Sequence, residues 1–267
     1  MPRARADLTA AVAFDAITVE GALIAPAMLA RIAQHQAEGQ NEADYGVPKG
    51  LTVRDEIARY FRIGQATFKE LTASETSSLA ATTNVFEKLL REVLGFADLH
   101  RVGTRTIGDR QFTLTFEALG GRVPIVVVPP ADDLDRPSPH LTTDGRKRSA
   151  ASAVQDWLNA EAGALWGLCS NGARLRLTRD NASLTRPAYV EADLRRIFEA
   201  DLFADFAVLW LLLQASRFGV AGTPPADCAL ERWREAGLRD GVAARDKLRD
   251  GVEAALTSLG NGFLSHP

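Results

Sequence analysis

Cysteine is nearly absent. Cys169 and Cys228 are the only two in 267 residues, far apart and in no metal-ligand spacing. That excludes a disulfide framework or a zinc-ligand array and leads us to expect a reduced, cytoplasmic protein with buried thiols. Histidine is also sparse: His35, His100, His140 and His266 stand singly, as surface or packing residues do. No apolar run is long. The longest, Phe206 to Leu213, falls far short of the roughly 20 residues a membrane span needs, so it reads as a core helix. No signal-type apolar segment follows Met1, and no membrane partner is expected. A strong charge of either sign is missing too. The net charge of −3 excludes a global attraction to nucleic acid, so any such contact must come from local basic patches.

Several motifs are absent. There is no Gly-x-Gly-x-x-Gly, no P-loop and no His-Glu-x-x-His. No Asp, Glu or Gln is followed two residues later by Lys; Asp144-Gly145-Arg146, in a predicted loop, is the nearest acid-x-base match. An Asn-Pro-Pro-aromatic tetrad is also missing.

What is present is an ordinary globular composition, 46% hydrophobic and 24% charged, enough for a sizeable core. Residues 7–36 read as helical in pieces, with a short amphipathic helix after Pro26. A loop follows over 37–50, then a helix from Thr52 to about Leu71. Asn84, with Glu87 three residues on, predicts a capping box for a third helix that Gly95 stops. Phe112, Leu114 and Phe116 alternate with polar residues, which predicts a strand. Gly120-Gly121 is a turn, and 123–128 reads as a fully buried strand. Residues 129–149 read as loop and 150–161 as helix. Asn171-Gly172, flanked by two apolar runs, predicts a hairpin. Helices follow over 191–199, 203–217 and 227–257, with a linker at 219–225. The resulting fold class is α/β, a mixed sheet of about four strands between N-terminal and C-terminal helices. The divisions fall at 1–82, 83–190 and 191–267.

The chemistry-bearing candidates are basic. In the second hairpin strand Arg174 and Arg176 share one face, and Leu175 and Leu177 the other. Arg179 and Arg186 follow, and Arg146, Lys147 and Arg148 precede the fourth helix. Guanidinium groups on a rigid sheet suit bidentate contact with phosphate. The competing reading is a solvated or interdomain face paired with local acids. Glu87, Asp133 and Asp135 are the carboxylates that would join Asp132 in a vestigial metal site, against a plainer reading as capping and loop acids. Trp157, Trp166 and Trp210 read as core anchors.

The block Leu165-Trp166-Gly167-Leu168-Cys169-Ser170-Asn171-Gly172, the stretch from Leu175 to Tyr189, and Phe203-Ala204-Asp205-Phe206 with Leu209 to Leu212 and Ser216-Arg217-Phe218 carry a resemblance. They resemble the N-terminal region of type IIG-like restriction–modification DNA adenine methyltransferases, including phage-defence methylases. Ile17 to Leu23 with Pro26, Asp44-Tyr45-Gly46 and Ser138 to Asn159 extend the likeness over nearly the whole chain. The resemblance implies a PD-(D/E)XK-like core at 83–190, a helical connector at 191–267, and a methyltransferase domain that these residues do not contain. Double-stranded DNA and other restriction or defence subunits are the implied partners. S-adenosylmethionine is expected as a cofactor of the full-length parent, and none for this segment. One departure stands out. Ile125-Val126-Val127-Val128-Pro129-Pro130 occupies the place of the acid-x-lysine of a working nuclease and carries neither residue. The expectation is a degenerate, inactive module for DNA-backbone contact or subunit docking. The alternatives are a Mg²⁺-dependent nuclease using Lys147 or Arg146 in place of the missing lysine, and a pure interaction scaffold.

Overall fold

The computed structural model describes residues 14–21, 23–73, 78–181 and 187–264. Along the chain the elements are β1 (Ile17–Glu20), α1 (Pro26–Ala33), α2 (Val53–Ala73), α3 (Leu79–Lys88), β2 (His100–Ile107), β3 (Arg110–Ala118) and β4 (Val123–Val127). They continue with β5 (Ser138–Thr143), β6 (Arg146–Arg148), α4 (Ala150–Leu158), β7 (Trp166–Ser170), β8 (Arg174–Arg179) and β9 (Tyr189–Asp193). The chain ends in α5 (Leu194–Glu199), α6 (Phe203–Leu213) and α7 (Ala229–Leu264).

Among the described residues the strands form one mixed, largely antiparallel sheet of nine, in the order β1-β9-β8-β7-β4-β3-β5-β6, with β2 also on β3. Among the described residues only β4 and β7 run parallel, with Val126 opposite Cys169. α4 makes the crossover between them, as a parallel connection requires. β3 uses both edges. Phe112 pairs with Arg105 of β2 and also with Thr143 of β5, while Phe116 pairs with Arg101 of β2 and Ile125 of β4. One edge of β3 therefore takes β2, and β4 and β5 share the other.

β4 is buried along its whole length, the signature of a strand covered on both faces. Ile125 and Val127 face the larger core with Phe86 of α3, Phe116 and Leu168. Val126 and Val128 face a smaller core with Val154, Trp157 and Leu158 of α4. The larger core runs from Ala16 to Trp233 and takes in α1, α2, α5 and α6. The sheet draws strands from both sides of the sequence divisions at 82 and 190: β1 comes from the first segment, and β9 runs past residue 190. Beneath the helices, Trp210 donates from Nε1 to the Val93 carbonyl at 2.9 Å and stacks with both Tyr45 and Tyr60.

Several expectations change. The sheet has nine strands, not about four. The predicted loop at 129–149 contains the β5–β6 hairpin. Within the stretch 7–36, of which residues 7–13 lie outside the described residues, Ile17–Glu20 form strand β1, and residues 189–193 are strand before α5 begins. Asn84 does not cap α3. The helix starts at Leu79 behind Ser78, whose Oγ accepts from the Ala81 amide at 3.2 Å. Asn84 sits inside the helix, and its Oδ1 accepts from Arg101. The hairpin at Asn171-Gly172 is present, in a longer form than a two-residue turn. Asn171 Oδ1 accepts from the Ala173 and Arg174 amides, and Gly172 takes a positive φ of 83°.

Candidate functional site

Alternation along β8 places Leu175 and Leu177 in the larger core and turns Arg174 and Arg176 to the α4 face. There β8, β9, the start of α4 and the loop after β4 line a cleft of about 390 Å³. Asp135, Arg148, Ser149, Gln155, Asp156, Arg176 and Tyr189 line it.

Arg176 forms the floor. Its side chain is only 4% exposed. Nη1 and Nη2 donate to the two oxygens of Asp135 at 2.6 and 2.9 Å, and Nε donates to Glu191 Oε2 at 2.8 Å. The guanidinium lies 3.9 Å from the centre of the Tyr189 ring. Burial works against its charge, but the bonds to Asp135 and then Glu191 outweigh burial, and its pKa lies above the ordinary arginine value. The Arg176 bonds in turn hold the Asp135 carboxyl below the usual carboxylate range. Burial raises the Tyr189 hydroxyl pKa against the opposing charge of Arg176. On the opposite wall Arg148 Nε meets Asp156 Oδ2 at 2.8 Å, an ion-pair distance without good hydrogen-bond alignment.

Each deep cation therefore has its own carboxylate. Two amides at the α4 N-terminus are also engaged: the Ala151 amide donates to the Leu134 carbonyl and the Ser152 amide to Ser149 Oγ. The cleft floor is a neutralised, hydrogen-bonded network rather than a bare anion hole. The Arg176 hydrogen bonds that lower the Asp135 carboxyl make it a weaker proton acceptor than an ordinary carboxylate.

The other sequence candidates are dispersed. Arg174 lies beside the cleft, 55% exposed, with Glu191 at 3.5 Å. Arg146 and Lys147 are exposed on β6 and make no ion pair among the described residues. Arg179 points to the opposite face, where Nε and Nη2 each lie 2.8 Å from the buried Glu231 of α7, so it acts as a tether for that helix. Arg186 lies outside the described residues. The acids do not converge. Glu87 rides α3, bonded to Arg91 at 3.1 Å and Arg101 at 2.7 Å, whereas Asp135 is on the α4 side of the sheet. Asp133 accepts from the Asp135 amide in a local turn. Carboxylates so divided do not fit a shared divalent cation, which needs several oxygens around one point. Among the described residues no group of three or more His, Cys, Asp and Glu is placed to hold a metal. Also among them, no helix is long and apolar enough to cross a membrane.

Sequence reasoning missed Glu191, Tyr189 and Asp156 as members of this network. A signal for the first two existed: Tyr189, Glu191 and Asp193 alternate with buried Val190 and Ala192. No family model, no curated protein and no solved structure matches the chain.

Proposed function

We propose that this chain is the N-terminal, nuclease-like region of a restriction–modification DNA adenine methyltransferase, and that it contacts the DNA backbone without cutting it. The β2-β3-β4 meander, crossed over by α4 to the parallel β7, supports a PD-(D/E)XK-like ancestry. β4 supports the loss of catalysis, because the strand that would carry an acid and a lysine carries valine, proline and isoleucine packed on both sides. The parent protein would use S-adenosylmethionine in a domain beyond these residues. Mg²⁺ would belong to an active nuclease, and the division of Glu87 from Asp135 across the sheet speaks against that alternative.

The observation that carries the DNA reading is the contrast between Arg174 and Arg176 on one strand face. Arg176 is locked to two carboxylates and stiffens the strand, while Arg174 stays exposed at the cleft rim. With Arg146 and Lys147 it supplies cations on a rigid sheet, as phosphate contact requires.

The test is anisotropy of a labelled duplex across a salt series. Binding should weaken linearly on a log–log plot, with a slope of about −0.9 for each phosphate neutralised. The variant Arg146→Glu, Lys147→Glu, Arg174→Glu should bind more weakly and show a shallower slope. Arg176 is left unaltered because it is structural. Salt-independent binding, or none, would defeat the DNA reading. Nicking of plasmid by the purified chain in Mg²⁺ would defeat the non-cutting part. A scaffold role is the second reading, favoured by Arg176 and Arg179 being fully engaged inside the fold.

A further inference from the structure

α7 changes character at Leu238. Before it, Leu230 and Trp233 are buried, and a Cβ on Gly237 would sit 2.9 Å from the Ala25 Cβ beside α1. From Leu238 onward every residue whose exposure is described is exposed. Asp240 still reaches Arg31 of α1 at 3.1 Å, in an exposed pair. The helix beyond it, at 1.5 Å per residue, extends about 35 Å with no packed neighbour among the described residues.

That exposed length has a pattern. Leu238, Val242, Arg245, Arg249, Val252, Leu256 and Leu259 follow one another at alternating spacings of four and three. This is the a/d repeat of a coiled-coil seam. The five apolar members are each among the exposed large hydrophobic residues of the chain. The two middle members are arginines. The same stretch carries four cations (Arg239, Arg245, Lys247, Arg249) and four anions (Asp240, Asp246, Asp250, Glu253), so no charge excess directs it to nucleic acid. Helices in proteins draw most of their stability from packing, which this stretch has none of among the described residues, and Gly241 and Gly251 weaken it further.

The arginines decide the partner. In a parallel pair of two copies Arg245 meets Arg245 and Arg249 meets Arg249. In an antiparallel pair with a aligned to d, Arg245 meets Arg249. Both arrangements put like charges into the seam, a penalty that disfavours self-pairing. A helix with carboxylates at the two central layers removes the penalty and gains charge-assisted hydrogen bonds. The existing partners of Arg249, Asp246 at 3.5 Å and Asp250 at 3.4 Å, are exposed pairs on its own helix and hold it weakly.

We infer that the 238–259 seam of α7 is a heterotypic docking strip for an amphipathic helix that carries Asp or Glu opposite Arg245 and Arg249. The inference is independent of DNA contact, and its test contains no DNA. The probes are two synthetic helical peptides with leucine at the outer seam positions and either two glutamates or two lysines at the central ones. Calorimetry with the full chain should show the glutamate peptide binding tighter by about tenfold or more, which is about 1.4 kcal/mol. The Arg245→Glu, Arg249→Glu variant should reverse the preference; loss of folding cannot produce a reversal. Light scattering of the chain alone should give a monomer. Equal affinity for the two peptides, or binding of neither, would overturn the inference. So would a dimer of the chain that Val252→Asp with Leu256→Asp abolishes.

Discussion

Arg176 holds Asp135 through both terminal nitrogens, at 2.6 and 2.9 Å, and so ties the loop after β4 to the middle of β8. The two partners are unequal: the arginine side chain is 4% exposed and the aspartate 61%. Their replacements should therefore differ. Arg176→Met leaves the partly buried Glu191 with only the exposed Arg174 at 3.5 Å and should cost about 3 kcal/mol. Asp135→Asn leaves Arg176 with Glu191 and Tyr189, and should cost about 1 kcal/mol or less. Urea unfolding of the two variants measures the difference.

Acid should expose the same link. The folded pKa of Asp135 is depressed, first by hydrogen bonds from Arg176. Its contribution is complete above the unfolded carboxyl value of about 3.9 and is lost as pH falls through the lower folded value. The stability gap between the native chain and Asp135→Asn should be constant near neutral pH and should narrow below about pH 4. A gap that widens there would contradict the assignment.

Gly167 of β7 lies under α4. A Cβ at this position would meet Val154 Cγ1 at 2.5 Å, with the Pro124 carbonyl at 3.2 Å. Gly167→Ala must push the helix away from the sheet and should cost about 1–3 kcal/mol. Thermal denaturation would record it as a lowered midpoint.

The thiols should be silent. Burial pushes the Cys169 thiol up to about 12 and also raises Cys228. A colorimetric thiol reagent should label neither in the native chain and both in denaturant. Rapid native labelling of Cys169 would show that the β4–β7 centre opens readily.

What could be read from the sequence depended on where each hydrophobic group faces. β3 and β4 announced themselves because Phe112, Leu114, Phe116 and the 123–128 run are buried. α1 and α2 were evident from apolar spacing. β2 was invisible: most of its residues are exposed, so His100 to Ile107 carry no alternation. β6 is three residues long, and β5 contains Pro139, which argues locally against a strand. The shared face of Arg174 and Arg176 followed from strand geometry alone. Their fates did not. Nothing local to Arg176 points to Asp135, 41 residues earlier, and nothing near Arg179 points to Glu231, 52 residues later. A basic run looks the same in sequence whether its charges meet solvent, phosphate or a carboxylate brought in by the fold.

β1 pairs with β9, Ile17 against Ala192 and Glu20 against Tyr189. β1 thus has its hydrogen-bonding mate among residues made much later. Until about residue 193 has emerged, β1 stays unpaired, and a chaperone or a neighbouring nascent chain has that interval in which to reach it.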